Sequence, residues 1–180
     1  AGSGKTKVIT EKIARLIHGK VFPPEQIAAI TFTNKAAREM RERVGKRISK
    51  AAAEALTVTT FHSLGLKFLQ EECKQVGLRR GFSIFDSDDQ QGLIKDLLPA
   101  GAGKDALFAA HSWISKVKNM ALAPEQAQQQ AKTVRERQIA ELYTRYQQRL
   151  SAFNAVDFDD LIRLPLQILE NDTEARTRWQ

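Results

Sequence analysis

Cysteine is almost absent: Cys73 is the one thiol in a chain of 180 residues. A lone thiol closes no internal disulfide and builds no cysteine zinc site. Between Glu71-Glu72 and Lys74 it reads as a helical, inert thiol in a reducing compartment. Long apolar runs are missing too. None approaches the ~18 residues that span a bilayer, so no membrane partner is predicted, and no signal peptide is visible. Internal repeats and low-complexity tracts are lacking; Gln128-Gln129-Gln130 is too short to count. Acidic residues are outnumbered, with Asp+Glu 21 against Lys+Arg 28, a formal net charge of +7. That balance suits a polyanionic partner such as nucleic acid, although basic proteins without one are common. Hydrophobic content of 42% is enough for a core, in one full domain or two small ones.

What is present begins at the first residue. Ala1-Gly2-Ser3-Gly4-Lys5-Thr6 reads as the second half of a phosphate-binding loop, G-x-x-x-x-G-K-[ST], whose first glycine would precede residue 1. The expectation is a piece of a longer chain. Gly2 and Gly4 let backbone N–H groups approach an anion, Lys5 can reach the β- and γ-phosphates of a nucleotide, and Thr6 can offer its hydroxyl to Mg²⁺. The helix that starts here favours negative charge at its N-terminus. The plainer alternative is a glycine turn capping an ordinary helix. Val8, Ile9, Ile13, Leu16 and Ile17 give that helix an apolar stripe, and Gly19 is its C-cap.

The first third alternates strand and helix. Residues 27–32 suit a buried parallel strand, and Asn34 caps a helix through Met40, Val44 and Ile48. Residues 56–60 form a second strand, and the next helix carries Leu64, Leu66, Phe68 and Leu69. This pattern predicts an α/β fold with a parallel sheet and right-handed crossovers. From about residue 63 strand signals fade into helices: one begun at Asp86-Ser87-Asp88-Asp89, then 105–120, a short one at Pro124, 133–152, and a last one kinked at Pro165. The expectation there is an all-helical insertion.

Ligands bind at the carboxyl ends of parallel strands. Besides the glycine loop, two junctions belong on that edge: Thr31-Phe32-Thr33-Asn34-Lys35, and Thr59-Thr60-Phe61-His62-Ser63. Each sets an aromatic ring among hydroxyls with a donor or cation behind it. An aromatic face stacks an unpaired base whatever its identity, and hydroxyls, amides and Lys35 hold phosphate oxygens. The alternative is that Phe32 and Phe61 end the cores of their strands. Two such junctions beside a phosphate loop favour nucleic acid.

The glycine loop, the string Ala29-Ile30-Thr31-Phe32-Thr33-Asn34-Lys35-Ala36-Ala37-Arg38-Glu39-Met40, then Thr60-Phe61-His62-Ser63-Leu64-Gly65 and Val156-Asp157-Phe158-Asp159-Asp160-Leu161-Ile162 together resemble the superfamily 1 DNA helicases of the UvrD/Rep/PcrA type. The resemblance is strong over residues 1–70 and 155–169 and looser between. It implies a partial RecA-like P-loop NTPase sheet with an all-helical insertion, moving 3′ to 5′ on single-stranded DNA with ATP and Mg²⁺. Residues 1–62 would belong to the RecA-like domain 1A, 63–168 to insertion 1B, and 169–180 to a return into 1A. Ala1, Gly2, Ser3, Gly4, Lys5 and Thr6 would hold ATP phosphates, with Lys5 and Thr6 catalytic and Thr6 on Mg²⁺. Thr31, Phe32, Thr33, Asn34, Lys35, Thr60, Phe61 and His62 would contact DNA, His62 as a hydrogen-bond donor. Single-stranded DNA, single-strand/duplex junctions and replication or repair proteins are the implied partners, in the bacterial cytoplasm at the nucleoid.

The family's glutamine motif is absent, and its acidic Walker B strand would follow Gln180. Asp157, Asp159 and Asp160 do not replace it, because Ser151–Val156 is too polar for such a strand; they read as charges favouring a helix N-terminus. Phosphoryl transfer needs positioned metal and charge, so the chain alone is expected not to turn over ATP. Lys116, Lys118 and Asn119 either face DNA or make a solvated helix face; Trp113 and Tyr143 read as core. A helicase–nuclease motor subunit, a passive single-strand-binding module and a generic P-loop NTPase acting on protein remain alternatives.

Overall fold

The computed structural model describes residues 4–179, which cluster into two compact units, one ending at Leu64 and the other spanning Gly65–Trp179. Among the described residues no helix is long and apolar enough to cross a membrane.

The first unit holds α1 (Lys5–His18), β1 (Ala28–Thr31), α2 (Asn34–Gly45), α3 (Lys50–Ala55) and β2 (Thr57–Thr60). The strands pair in parallel, Ala28 against Thr57 through Thr31 against Thr60. A parallel pair needs a crossover between its strands, and α2 and α3 occupy it. Ile13, Ala14, Ala29, Met40, Val44, Leu56 and Val58 form the core. Thr33 caps α2, and the expectation of Asn34 is corrected. Thr33 has the extended backbone a cap requires and its hydroxyl accepts from the Ala36 N–H at 3.1 Å, whereas Asn34 is already helical. The helix stops at Gly45 rather than continuing to Ile48, and Ser49 opens α3 by accepting from the Ala52 N–H. Val8 and Ile9, expected on the buried stripe of α1, are 69% and 44% exposed. Thr10 is buried in that helix instead. Its hydroxyl donates to the carbonyls of Thr6 and Lys7, which removes the penalty for burying it.

α4 (Phe61–Glu72) begins in the first unit and continues into the second. There follow β3 (Ser83–Phe85), α5 (Ser87–Leu97), α6 (Lys104–Asn119), α7 (Pro124–Gln130), α8 (Val134–Ala152), β4 (Ala155–Asp157), α9 (Asp160–Asn171) and α10 (Thr173–Trp179). This part is not all-helical: β3 and β4 pair in parallel, Ser83 against Ala155 through Phe85 against Asp157. All of Ala155, Val156 and Asp157 are buried despite the polar lead-in. Asp86 caps α5, as its position suggested, in a reciprocal box with Asp89.

One core of this unit joins Ile94, Ile114, Tyr143, Tyr146 and Leu150, with Trp113 packed against it. A second joins Phe68, Leu69, Leu161, Leu164 and Ile168 around buried Cys73. Residues 169–179 pack in this unit: Arg178 grips Glu72 through both carboxylate oxygens at 3.0 and 2.8 Å, and the Trp179 indole donates to it at 3.1 Å. Where α4 meets α9, Gly65 lies directly on the Leu161 carbonyl. Pro165, inside α9, has no N–H for that carbonyl four residues back.

Candidate nucleotide and nucleic-acid site

The described part of the glycine loop is Gly4, Lys5 and Thr6; Ala1, Gly2 and Ser3 lie outside the described residues. Gly4 is the N-cap of α1 at φ 67°, a conformation that glycine adopts without penalty. It provides no side-chain cap, and the first turn carries no acidic residue. The first helical bond runs from Val8 N–H to Gly4 O at 3.0 Å. The N–H groups of the opening turn therefore have no acceptor within the helix and face outward beside the exposed Lys5. A Cβ at Gly4 would meet nothing within 4 Å, so the backbone is open to a ligand there. Uncapped donors, a dipole end and a lysine fit a polyphosphate. For Mg²⁺ this chain offers the Thr6 hydroxyl, in keeping with a cation that keeps several waters and leans on substrate phosphates. Among the described residues no cluster of three or more His, Cys, Asp or Glu side chains is placed to hold a metal.

The two aromatic junctions come out side by side. The pairing of Thr31 with Thr60 puts Phe32 and Phe61 immediately beyond matching strand ends. Their ring centroids are 6.4 Å apart with planes tilted by 54°. Phe32 is 93% exposed and Phe61 52%, so neither ends a buried strand core. The threonines beneath are buried and build the ledge. Thr31 donates to the carbonyls of Thr33 at 3.0 Å and Thr59 at 3.4 Å. Thr60 donates to the Ser63 hydroxyl at 3.0 Å and accepts from the Ser63 N–H at 3.2 Å, which starts α4. Thr33, Asn34 and Lys35 are exposed around Phe32, and His62 is half-buried behind Phe61. Arg41, not singled out by the sequence, donates from Nη2 to the Val58 carbonyl at 2.5 Å and ties α2 to β2. In the sequence it is indistinguishable from the other solvated charges of α2.

The family model described as UvrD/REP helicase N-terminal domain matches residues 1–180. The chain belongs to that family. It is 46% identical over 182 residues to the ATP-dependent DNA helicase Rep of Salmonella typhimurium, covering 100% of this chain and 27% of that protein. The same figures hold for Rep of Escherichia coli. Against the ATP-dependent DNA helicase PcrA of Staphylococcus aureus identity is 39% over 183 residues, covering 100% of this chain and 25% of that protein. The chain thus spans about a quarter of the length of the curated relatives it matches.

In the second unit of this UvrD/REP helicase N-terminal domain, both readings of Lys118, facing DNA or lying on a solvated helix face, are corrected. Its side chain is buried, and Nζ donates to Asp157 Oδ2 at 2.6 Å and Asp160 Oδ2 at 2.9 Å. Arg163 Nη2 closes on Asp160 Oδ1 at 2.9 Å, and the Tyr146 hydroxyl donates to Asp157 Oδ2 at 2.9 Å. Asp157 and Asp160 therefore do more than favour a helix terminus: they are a buried, neutralised pair locking β4 and α9 to α6 and α8. Burial and the neighbouring Asp160 charge push the Asp157 carboxyl up. Burial also works to raise Asp160, but the Lys118 and Arg163 charges outweigh it and hold that carboxyl down to about 2. The Asn119 amide is committed as well, donating to Ser115 O at 2.8 Å and Asp159 Oδ1 at 3.0 Å. Lys116 stays exposed on the outer face of α6.

Proposed function

We propose that this chain is the front part of an ATP-driven helicase that moves 3′ to 5′ along single-stranded DNA and opens duplexes at single-strand junctions. The observation that carries the reading is the exposed Phe32–Phe61 pair at adjacent parallel strand ends, in the same unit as the uncapped N-terminus of α1. Soluble folds bury strand phenylalanines; a ring that is exposed on a ledge of bonded threonines is ready to stack a base. The names of the relatives, ATP-dependent DNA helicases, support the substrate.

On this reading residues 1–62 are part of a RecA-like domain and 63–168 its insertion, while residues 169–179 pack in the same unit as the insertion. Gly2 to Thr6 hold ATP phosphates: backbone N–H groups and Lys5 neutralise the charge, and the Thr6 hydroxyl orients Mg²⁺. Bound ATP would supply the phosphoryl group whose transfer drives movement. Thr31, Phe32, Thr33, Asn34, Lys35, Thr60, Phe61 and His62 form the DNA track, the rings stacking bases and the hydroxyls and cation gripping the backbone. The whole protein works in the bacterial cytoplasm at the nucleoid, with replication or repair proteins. Residues 1–180 alone are expected to turn over no ATP, because phosphoryl transfer needs positioned metal and charge beyond one lysine and one hydroxyl.

The test is ATP hydrolysis by the full-length protein, with and without a single-stranded oligonucleotide. Strong stimulation by single strands, abolished by Lys5→Ala and weakened by Phe32→Ala, supports a DNA motor. Turnover indifferent to DNA overturns it.

A further inference from the structure

The two strand-end junctions divide their hydroxyls into an inner and an outer pair. Thr31 and Thr60, opposite one another in the register of β1 and β2, are 8% and 6% exposed. Thr33 and Ser63, a short step further along each junction, are exposed. A hydroxyl has one proton to give, and the inner pair gives it inward. Thr31 shares its proton between the Thr33 carbonyl at 3.0 Å and, more weakly, the Thr59 carbonyl at 3.4 Å. The first carbonyl belongs to the turn that carries Phe32, the second to the strand that leads into Phe61. Thr60 gives its proton to the Ser63 hydroxyl at 3.0 Å and accepts the Ser63 N–H at 3.2 Å, bracketing Phe61 and His62. The outer pair serves the fold as acceptors: Thr33 from the Ala36 N–H at 3.1 Å, Ser63 from Thr60.

We propose that Thr31 and Thr60 are positioning residues: they set the Phe32–Phe61 ring pair for stacking and do not touch nucleic acid, whose phosphates meet the outer hydroxyls of Thr33 and Ser63 instead. The proposal rests on the reading of the ledge as a DNA track. Phosphate oxygens accept hydrogen bonds, so a buried threonine whose one proton is committed inward has nothing to offer them. The ring pair is what the inner threonines hold. Centroids 6.4 Å apart with planes tilted by 54° fall in the edge-to-face range. Tilted rings leave no parallel-walled slot between them, so a base stacks on an open outer face. Phe32, 93% exposed, has almost no packing of its own to fix its angle. The backbone beneath fixes it, and the Thr31 hydroxyl ties that backbone to its own turn and to β2.

The experiment is fluorescence anisotropy of the full-length protein with a labelled thymidine oligonucleotide, read as a double-mutant cycle. Thr31→Val keeps the branched shape, deletes the hydroxyl and is expected to weaken binding about threefold to tenfold. In a Phe32→Ala background the same change is expected to matter less than about twofold, because the ring it positions is gone. Thr31→Ser keeps the hydroxyl and is expected to bind within about twofold of the parent. Ser63→Ala is expected to weaken binding about threefold whether or not Phe32 is present, because it acts on the strand directly. Thr60→Val against Phe61→Ala carries the same cycle at the second junction and decides the matter if Thr31→Val fails to fold. Equal losses from the threonine change with and without its ring mean that the threonine touches the strand, and overturn the proposal. Parent-like binding by Thr31→Val alongside weakened binding by Phe32→Ala overturns it too; the DNA-motor reading survives both results. A parent that binds no single strand overturns the reading and the proposal together.

Discussion

Gly65→Ala asks whether the approach of α4 to α9 is as tight as the backbone indicates. A Cβ at Gly65 would overlap the Leu161 carbonyl oxygen, lie 2.9 Å from the Leu161 carbonyl carbon and touch Pro165 Cγ at 3.6 Å. The obstacle is main chain, so no rotamer change relieves it, and the helices must separate. Overpacking of this kind costs about 1–3 kcal/mol, and a backbone obstacle belongs at the upper end. Alanine in place of glycine within a helix returns about 1 kcal/mol. The net expectation is a loss of about 2 kcal/mol. At a urea m-value of about 2 kcal/mol/M the unfolding midpoint falls by about 1 M. Gly92, in the helix α5 of the same unit, is the control: a Cβ there meets nothing within 4 Å. Gly92→Ala should gain about 1 kcal/mol from propensity alone. The assay is urea unfolding followed by far-UV circular dichroism. If Gly65→Ala matches or exceeds the parent while Gly92→Ala behaves as stated, the close approach of α4 to α9 is wrong.

Lys118→Ala leaves Asp157 and Asp160 buried without their shared cation and should cost about 3–5 kcal/mol, read in the same urea assay; a loss under about 1 kcal/mol would show the network to be hydrated and weak. Asp160, held down to about 2 from its ordinary 3.8, stabilises the fold above 3.8 and loses that contribution as pH falls toward 2. Asp157 is raised, so its contribution has the opposite sign and fades as pH rises above 3.8. Asp160→Asn should therefore flatten the fall in melting temperature between about pH 4 and pH 2, and Asp157→Asn should not; equal slopes in the two variants would contradict the assignment. Phe32→Ala should leave the melt within about 0.5 kcal/mol of the parent, as surface changes do, while lowering DNA-stimulated ATP hydrolysis of the full-length protein. A large drop in stability would make Phe32 a packing residue after all.

The candidate sites that the sequence singled out are those whose signal lies within a few neighbouring residues. Gly4-Lys5-Thr6 and the strings around Phe32 and Phe61 combine a short apolar strand with hydroxyls and a helix start, and β1 and β2 formed within a residue of where that pattern put their ends. The cap of α2 was misplaced by one residue because Thr33 and Asn34 are both capping types and only backbone angles choose between them. β3 and β4 escaped notice because strands of three residues are too short to display alternation, and each is made by a partner some seventy positions away in the chain.

Composition and local spacing determined most of the helix and strand order, the basic character and the helix start at Gly4-Lys5-Thr6, since each depends on a residue and its near neighbours. Only the tertiary structure decided which charges meet solvent. Lys116 and Lys118 look equivalent in the sequence, yet one is exposed and the other bonds carboxylates 39 and 42 residues away. In the same way the exposure of Phe32 and Phe61 follows from which neighbours the folded chain brings over each ring. Burial is a property of what packs against a side chain, and those groups come from distant parts of the sequence.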